Sequence, residues 1–190
     1  MKIGLYFGSF NPIHTGHLII ANHVLNETGL ERIWLVVSPQ NPFKTSASLL
    51  NEYNRLHLAR LATEDDNRIK VSDIEFKLPR PSYTANTLTY LTEKYPGHEF
   101  AVIMGSDSYQ NLEKWKNYEV IIKNFPLYVY KRAGFEVKPL FEIHPTILNA
   151  PLLQISATEI RQLVKNGKSV RYMLPEKVRE EIEQNRYYKK

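Results

Sequence analysis

The chain has 190 residues, 43% of them hydrophobic, and no cysteine, which excludes disulfides and thiolate metal sites and fits a globular protein, not a disordered one. No window approaches the roughly 20 apolar residues that a membrane span needs. A formal net charge of +5 and a pI near 9.2 favour anionic partners, yet the excess is modest and scattered, so polyphosphate substrates explain it as well as nucleic acid does.

The first apolar run, Ile3, Leu5, Tyr6 and Phe7, predicts a short buried strand. Leu18, Ile19, Ile20, Val24 and Leu25 then recur at helical spacing. Between them lies Gly8-Ser9-Phe10-Asn11-Pro12-Ile13-His14-Thr15-Gly16-His17. A strand that feeds a Gly-containing turn into a helix is a setting in which backbone N–H groups and the helix dipole collect phosphate. These polar and turn residues interrupt the apolar run and no small-residue cleavage site follows, so the segment is expected to be mature protein, not a signal peptide.

Residues 32–38 predict a second strand, followed by a Pro-rich loop over 39–48 and a helix with apolar positions at Leu49, Leu50, Tyr53, Leu56 and Leu61. Residues 69–76 predict a third strand, and 84–95 a helix that Pro96-Gly97 stops. The continuously apolar stretch 100–104 has the character of a buried parallel strand. A short helix around 115–122, strands at 127–130 and 146–148, and helices at 156–165 and 176–185 complete the pattern. The mixed charges of 176–190 read as a solvated helix face with a frayed basic tail. This alternation predicts an α/β fold, a doubly wound parallel sheet with helices on both faces, in one domain spanning 1–190. The first and fourth strands are expected to flank the point where strand order reverses, and ligands bind there. Gly8 and Gly105 are expected to floor that crevice and let a nucleotide approach the backbone, with Phe10, Tyr83 or Trp115 as walls.

His14 and His17 lie three apart. Metal binding is the weaker reading: zinc wants a third protein ligand, and the metalloprotease helix spaces its histidines four apart around a Glu. A pair of capping or core histidines is the plain alternative. With Thr15 as N-cap, His17 falls in the first turn, where the dipole disfavours imidazolium and a bound phosphate would reverse that penalty. Ser156 and Glu159 form a capping box that needs no ligand. Arg161 is a cation in the first turn, opposed by the dipole, and an anion there would account for it, with Ser156 and Thr158 as extra donors. Plain readings exist for the others too: Trp115 as core, Thr84 and Asp107 as helix caps, Lys44 as a solvated loop lysine.

The stretch Gly8–His17 resembles the signature of the nucleotidyltransferase superfamily with a His–x–Gly–His turn, and 155–161 resembles its second, ATP-phosphate motif. More narrowly, Ser82-Tyr83-Thr84-Ala85-Asn86-Thr87-Leu88, Gly105-Ser106-Asp107 and 112–118 are similar to bacterial nicotinate-nucleotide adenylyltransferases, over essentially the whole chain. The resemblance implies a Rossmann-like fold and adenylyl transfer from ATP to nicotinate mononucleotide, giving deamido-NAD and pyrophosphate with Mg²⁺; since Mg²⁺ commonly keeps several waters and rides on substrate phosphates, no metal ligand from the protein is expected, and the absence of cysteine fits a cytoplasmic enzyme. It implies catalytic roles for His14, His17, Lys44 and Arg161, and ATP contacts from Gly8, Ser9, Phe10, His14, His17, Gly105, Asp107, Ser156, Thr158 and Arg161. Lys44, Thr84, Trp115, Tyr118 and Arg132 would bind the second substrate. Asn11 departs from the Asp of many members, and the loop lacks the His that many place before the lysine. The competing readings are an enzyme that prefers nicotinamide mononucleotide or phosphopantetheine, a nucleotide-binding regulator without turnover, and an RNA-binding module, which lacks the expected basic stripe with interleaved aromatics. No membrane or nucleic-acid partner is expected, and a homo-oligomer is compatible with the sequence.

Overall fold

The computed structural model describes residues 1–39, 49–132, 134–135, 137–138, 140, 144–151 and 154–189. The strands are β1 (Lys2–Gly8), β2 (Arg32–Val37), β3 (Ile69–Ser72), β4 (Glu99–Gly105), β5 (Leu127–Tyr130) and β6 (Thr146–Leu148). Among the described residues they form one parallel sheet in the order β3-β2-β1-β4-β5-β6. The helices are α1 (Thr15–Glu27), α2 (Glu52–Thr63), α3 (Thr84–Lys94), α4 (Ser106–Gln110), α5 (Tyr118–Asn124), α6 (Ala157–Lys165) and α7 (Glu176–Gln184).

The period-2 alternation of strand side chains divides the core into two layers. Ile33, Leu35 and Val37 of β2, with Tyr6 of β1, join an apolar cluster that includes Val24 of α1, Leu56 of α2, Ile160 of α6 and Ile182 of α7. Trp34 and Val36, with Ile3 and Leu5, face the other way, against Leu88 of α3, Tyr109 of α4 and Ile121 of α5. Strands buried on both faces explain the unbroken apolar runs in the sequence. The winding is the predicted one: β1 pairs with both β2 and β4, so strand order reverses beside β1 and a crevice opens between the carboxyl ends of β1 and β4.

Three local expectations are corrected. The third strand stops at Ser72, and Ile74–Lys77 forms a 3₁₀ turn instead. There the Ser72 hydroxyl accepts from Ile74 N at 3.3 Å, diverting the backbone from the sheet ladder. The helix expected around 115–122 is a 3₁₀ turn, Leu112–Lys114, followed by α5, with Asn117 between them at φ 55°. That left-handed residue breaks the helical path and leaves Trp115 outside any helix. Finally, Thr15 is the first residue of α1 and His14 is its N-cap.

Candidate active site

A cleft of about 400 Å³ lies over the carboxyl ends of β1 and β4. The loop after β1 contributes Gly8, Ser9, Phe10, Asn11 and His14, and the first turn of α1 adds His17. The start of α6 contributes Ser156, Thr158 and Arg161, while Asp107 stands in α4 directly after β4 and Arg132 follows the end of β5. At the far end stand Ser82, Tyr83, Thr84, Trp115 and Lys116. Two motifs some 150 residues apart in sequence therefore face one space, as do the segments expected to hold two different substrates.

Some expected residues sit otherwise. Tyr118 opens α5 and packs against the apolar cluster of the second face. Gly105 lies beneath the site: a Cβ there would fall 2.5 Å from Asp107 Oδ1 and 2.8 Å from Arg132 Cδ. A Cβ on Gly8 would lie 2.9 Å from the Phe10 ring. Both glycines therefore make room for the protein's own side chains. Phe10 is 2% exposed and supports the floor from within the core. Lys44, with Pro42 and Phe43 before it, lies outside the described residues.

The two histidine rings stack, with centroids 3.7 Å apart at 27°. His14 N donates to His17 Nδ1 at 3.2 Å. Because that nitrogen accepts, the neutral His17 ring carries its proton on Nε2. Phe10 meets His17 edge-on at 5.1 Å, and Tyr6, paired through its hydroxyl with Tyr130 at 3.0 Å, closes the floor below. His14 is 6% exposed. Burial, and then the nearby Arg132 cation, lower its pKa from 6.5 to about 4, so it is neutral at physiological pH. Its Nδ1 is buried without a partner among the described residues.

The α6 mouth satisfies its cap and still borders the cleft. Ser156 Oγ accepts from Glu159 N at 3.1 Å, as the capping pattern predicts. Arg161 is not left to an anion alone: it donates to the Asn11 carbonyl at 2.8 Å and to Thr158 Oγ1 at 3.3 Å. Arg132 pairs with Asp107 Oδ2 at 2.9 Å, which ties together two residues that the sequence had assigned to different substrates.

Three contributors escaped sequence reasoning. Arg55 of α2 is fully buried and donates to the carbonyls of Ser9, Ser38, Pro39 and Leu50 at 2.5 to 2.8 Å. It clamps the loop after β1 to the loop after β2 from behind. Glu75 is 2% exposed, accepts from Ser82 Oγ at 2.8 Å and Thr87 Oγ1 at 2.9 Å, and burial raises its pKa. It pins the segment that presents Tyr83 and Thr84. Lys116 places its Nζ 4.6 Å from the Tyr83 ring. A sequence signal existed only for Arg55, an arginine set among the apolar positions Tyr53, Leu56 and Leu58.

The carboxylates in the cleft lining are Glu75, which accepts from Ser82 and Thr87, and Asp107, whose Oδ2 pairs with Arg132 while its Oδ1 is buried without a hydrogen-bond partner among the described residues. Among the described residues no group of three His, Asp or Glu could hold a metal ion.

The cytidylyltransferase-like family model matches residues 5–163. A probable nicotinate-nucleotide adenylyltransferase of Flavobacterium johnsoniae is 53% identical, with 100% of each chain covered. One of Cytophaga hutchinsonii is 50% identical over 99% of this chain and 98% of its own. Among solved structures, the Plasmodium falciparum nicotinic acid mononucleotide adenylyltransferase complexed with NaAD superposes with a TM-score of 0.83 at 19% identity, covering 98% of this chain and 97% of its own. At that identity the likeness speaks for the fold.

Proposed function

The chain belongs to the cytidylyltransferase-like family, among its nicotinate-nucleotide adenylyltransferases, and from that premise we propose how its cleft joins ATP to nicotinate mononucleotide in NAD biosynthesis. The mononucleotide phosphate oxygen attacks the α-phosphorus of ATP. A new P–O bond forms as the bond to the β-phosphate oxygen breaks, so deamido-NAD and pyrophosphate result. The nucleophile is already an anion, and no serine or cysteine is required. Catalysis then rests on alignment and on positive charge and donors placed where negative charge builds.

The observation that carries this reading is the convergence of the loop after β1 and the start of α6 on one cleft. His17, with its proton on Nε2, is the neutral donor toward the phosphates, and Arg161 is the fixed cation beside it. Lys44 is proposed to add charge from the loop after β2. Mg²⁺, when bound on the phosphates, would neutralise charge on the departing pyrophosphate. Asp107 and Arg132 border the adenosine end, while Thr84 and Trp115 border the pyridine end. The acceptor end favours an acid over an amide: α3 begins at Thr84 without a side-chain cap, and Lys116 stands beside Tyr83. A cysteine-free biosynthetic enzyme fits a cytoplasmic setting.

The test incubates the protein with ATP, Mg²⁺ and one acceptor at a time (nicotinate mononucleotide, nicotinamide mononucleotide or phosphopantetheine) and measures pyrophosphate. Release fastest with nicotinate mononucleotide is expected. ATP binding without release from any acceptor would replace catalysis with regulation.

A further inference from the structure

We propose that Tyr188, in the segment that follows α7, is a positioning residue for adenylyl transfer: its hydroxyl fixes Asn11, and Asn11 in turn fixes Arg161 beside bound ATP. The inference rests on the reading of the cleft as an ATP site.

The sequence of this segment suggested a frayed basic tail, but the structure folds it back. Arg186 takes φ 54° after the end of α7, and Tyr187 N then donates to Ile182 O at 3.0 Å while Arg186 N donates to Glu183 O at 3.3 Å. This is the Schellman pattern, with arginine where glycine is usual. A second left-handed residue, Tyr188 at φ 63°, completes the reversal. Tyr187 and Tyr188 both pack on the apolar cluster beside α7. Left-handed non-glycine residues persist only where surrounding contacts hold them, so this path is specified and not a fray.

The reversal brings Tyr188 Oη to 2.9 Å from Asn11 Oδ1, across 177 positions of sequence. Leu50 N donates to the same oxygen at 3.1 Å. A backbone N–H can only donate, so the atom facing both groups is the carbonyl oxygen and the phenol is the second donor. Burial pushes the Tyr188 phenol well above its usual range, which keeps that proton in place. On the main chain, the Asn11 carbonyl receives Arg161 Nη1 at 2.8 Å. Asn11 is thus gripped from behind through its side chain while its backbone anchors the cation in the cleft. The preceding residue, Phe10, sits at φ 44° and needs such support. An aspartate at position 11 would accept from both donors equally well, which gives a physical reason for either residue in this turn.

A merely structural role is separable, because Tyr188→Phe keeps the ring that packs and removes only the hydroxyl. In the full chain, ATP affinity is measured by calorimetry without acceptor, together with Tm, kcat and both KM values. The expected result is an ATP Kd and KM raised about three- to tenfold, the range spanned by one hydrogen bond. The KM for nicotinate mononucleotide should stay within about twofold and Tm should fall by no more than about 6 °C, the cost of one hydrogen bond. Tyr187→Phe should match wild type, and Tyr188→Phe should add nothing in an Asn11→Ala background. An unchanged ATP Kd in Tyr188→Phe overturns the proposal. So does a large fall in Tm with both KM values moving together, which would mark a packing role. If the wild type binds ATP but releases no pyrophosphate with any acceptor, the catalytic reading fails, while the Kd comparison still decides the role of Tyr188.

Discussion

Truncating Arg55 to alanine should destabilise the protein more than most single changes. The guanidinium is fully buried, and among the described residues its hydrogen-bond partners are four backbone carbonyls of three loop segments. Hydrogen bonds to a charged group are worth about 1.5–3 kcal/mol each, so four set an upper bound near 6–12 kcal/mol. Water entering the space and relaxation of the loops recover part of that. The net loss should be about 3–5 kcal/mol, since each carbonyl left buried without a donor costs about 1–3 kcal/mol and some of the four will find water. For a chain of this length each kcal/mol moves Tm by about 2–4 °C, so the expected fall is roughly 6–20 °C. Arg55→Lys keeps the charge but loses the planar fork and should fall about half as far. Thermal denaturation followed by circular dichroism reads the shift. An Arg55→Ala protein melting within about 2 °C of wild type would refute the clamp, because orphaning four carbonyls cannot be that cheap.

Further outcomes follow from the same geometry. His14 is neutral in the fold with a pKa of about 4 against 6.5 when unfolded, so the unfolded chain takes the proton first and stability present above pH 6.5 is lost as pH falls toward 4. The difference corresponds to about 3 kcal/mol, and chemical denaturation of His14→Asn across that window should lack this slope; parallel curves would contradict it. Glu75→Ala removes the carboxylate that the Ser82 and Thr87 hydroxyls share, leaving Thr87 only the Tyr83 carbonyl, and should raise the KM for nicotinate mononucleotide several-fold with the KM for ATP unchanged. Trp115→Ala should do likewise by about tenfold with little change in Tm, since the residue is half-buried at the cleft edge. His17→Ala should lower kcat by about 10²–10³, the usual effect of losing one aligned donor, and turnover within threefold of wild type would refute its role.

The sheet was legible because strands buried on both faces carry their signal in composition, and β1, β2 and β4 do so without interruption. The two phosphate motifs were legible because each sits at a strand or loop entry to a helix, where residue type reports backbone geometry. What escaped was made by tertiary contact. The capping reading placed Thr15 at the cap, but Thr15 N is bound by the carbonyl of Met173, and His14 takes the cap position. Arg161 looked like a cation in want of an anion because its partner, the Asn11 carbonyl, is a main-chain atom 150 positions away. Backbone acceptors leave no trace in residue identity. The acceptors of Arg55 are main-chain carbonyls too, so its apolar surroundings in sequence signalled burial but not its partners, while Tyr188, between Tyr187 and Lys189, reaches a side-chain oxygen 177 positions away.

The choice of acceptors for these cations bears on how the cleft treats a polyanion. Arg55 and Arg161 are both held by neutral oxygens, carbonyls in one case and a carbonyl with a hydroxyl in the other. Among the described residues neither meets a carboxylate at ion-pair distance. Their geometry is therefore fixed without their charge being cancelled, and the field behind the loop after β1 stays positive before any substrate arrives. Arg132 is arranged the opposite way, neutralised by Asp107. One cleft thus has a charged end and a balanced end. Under the proposed reading the triphosphate of ATP would lie toward Arg161, with Arg55 adding its field from behind the loop, and the uncharged adenosine toward the Asp107–Arg132 pair, which would favour one orientation of ATP before the acceptor binds. Preorganisation of this kind lowers the barrier because the cations need not move, or shed a carboxylate, as charge develops on the phosphates.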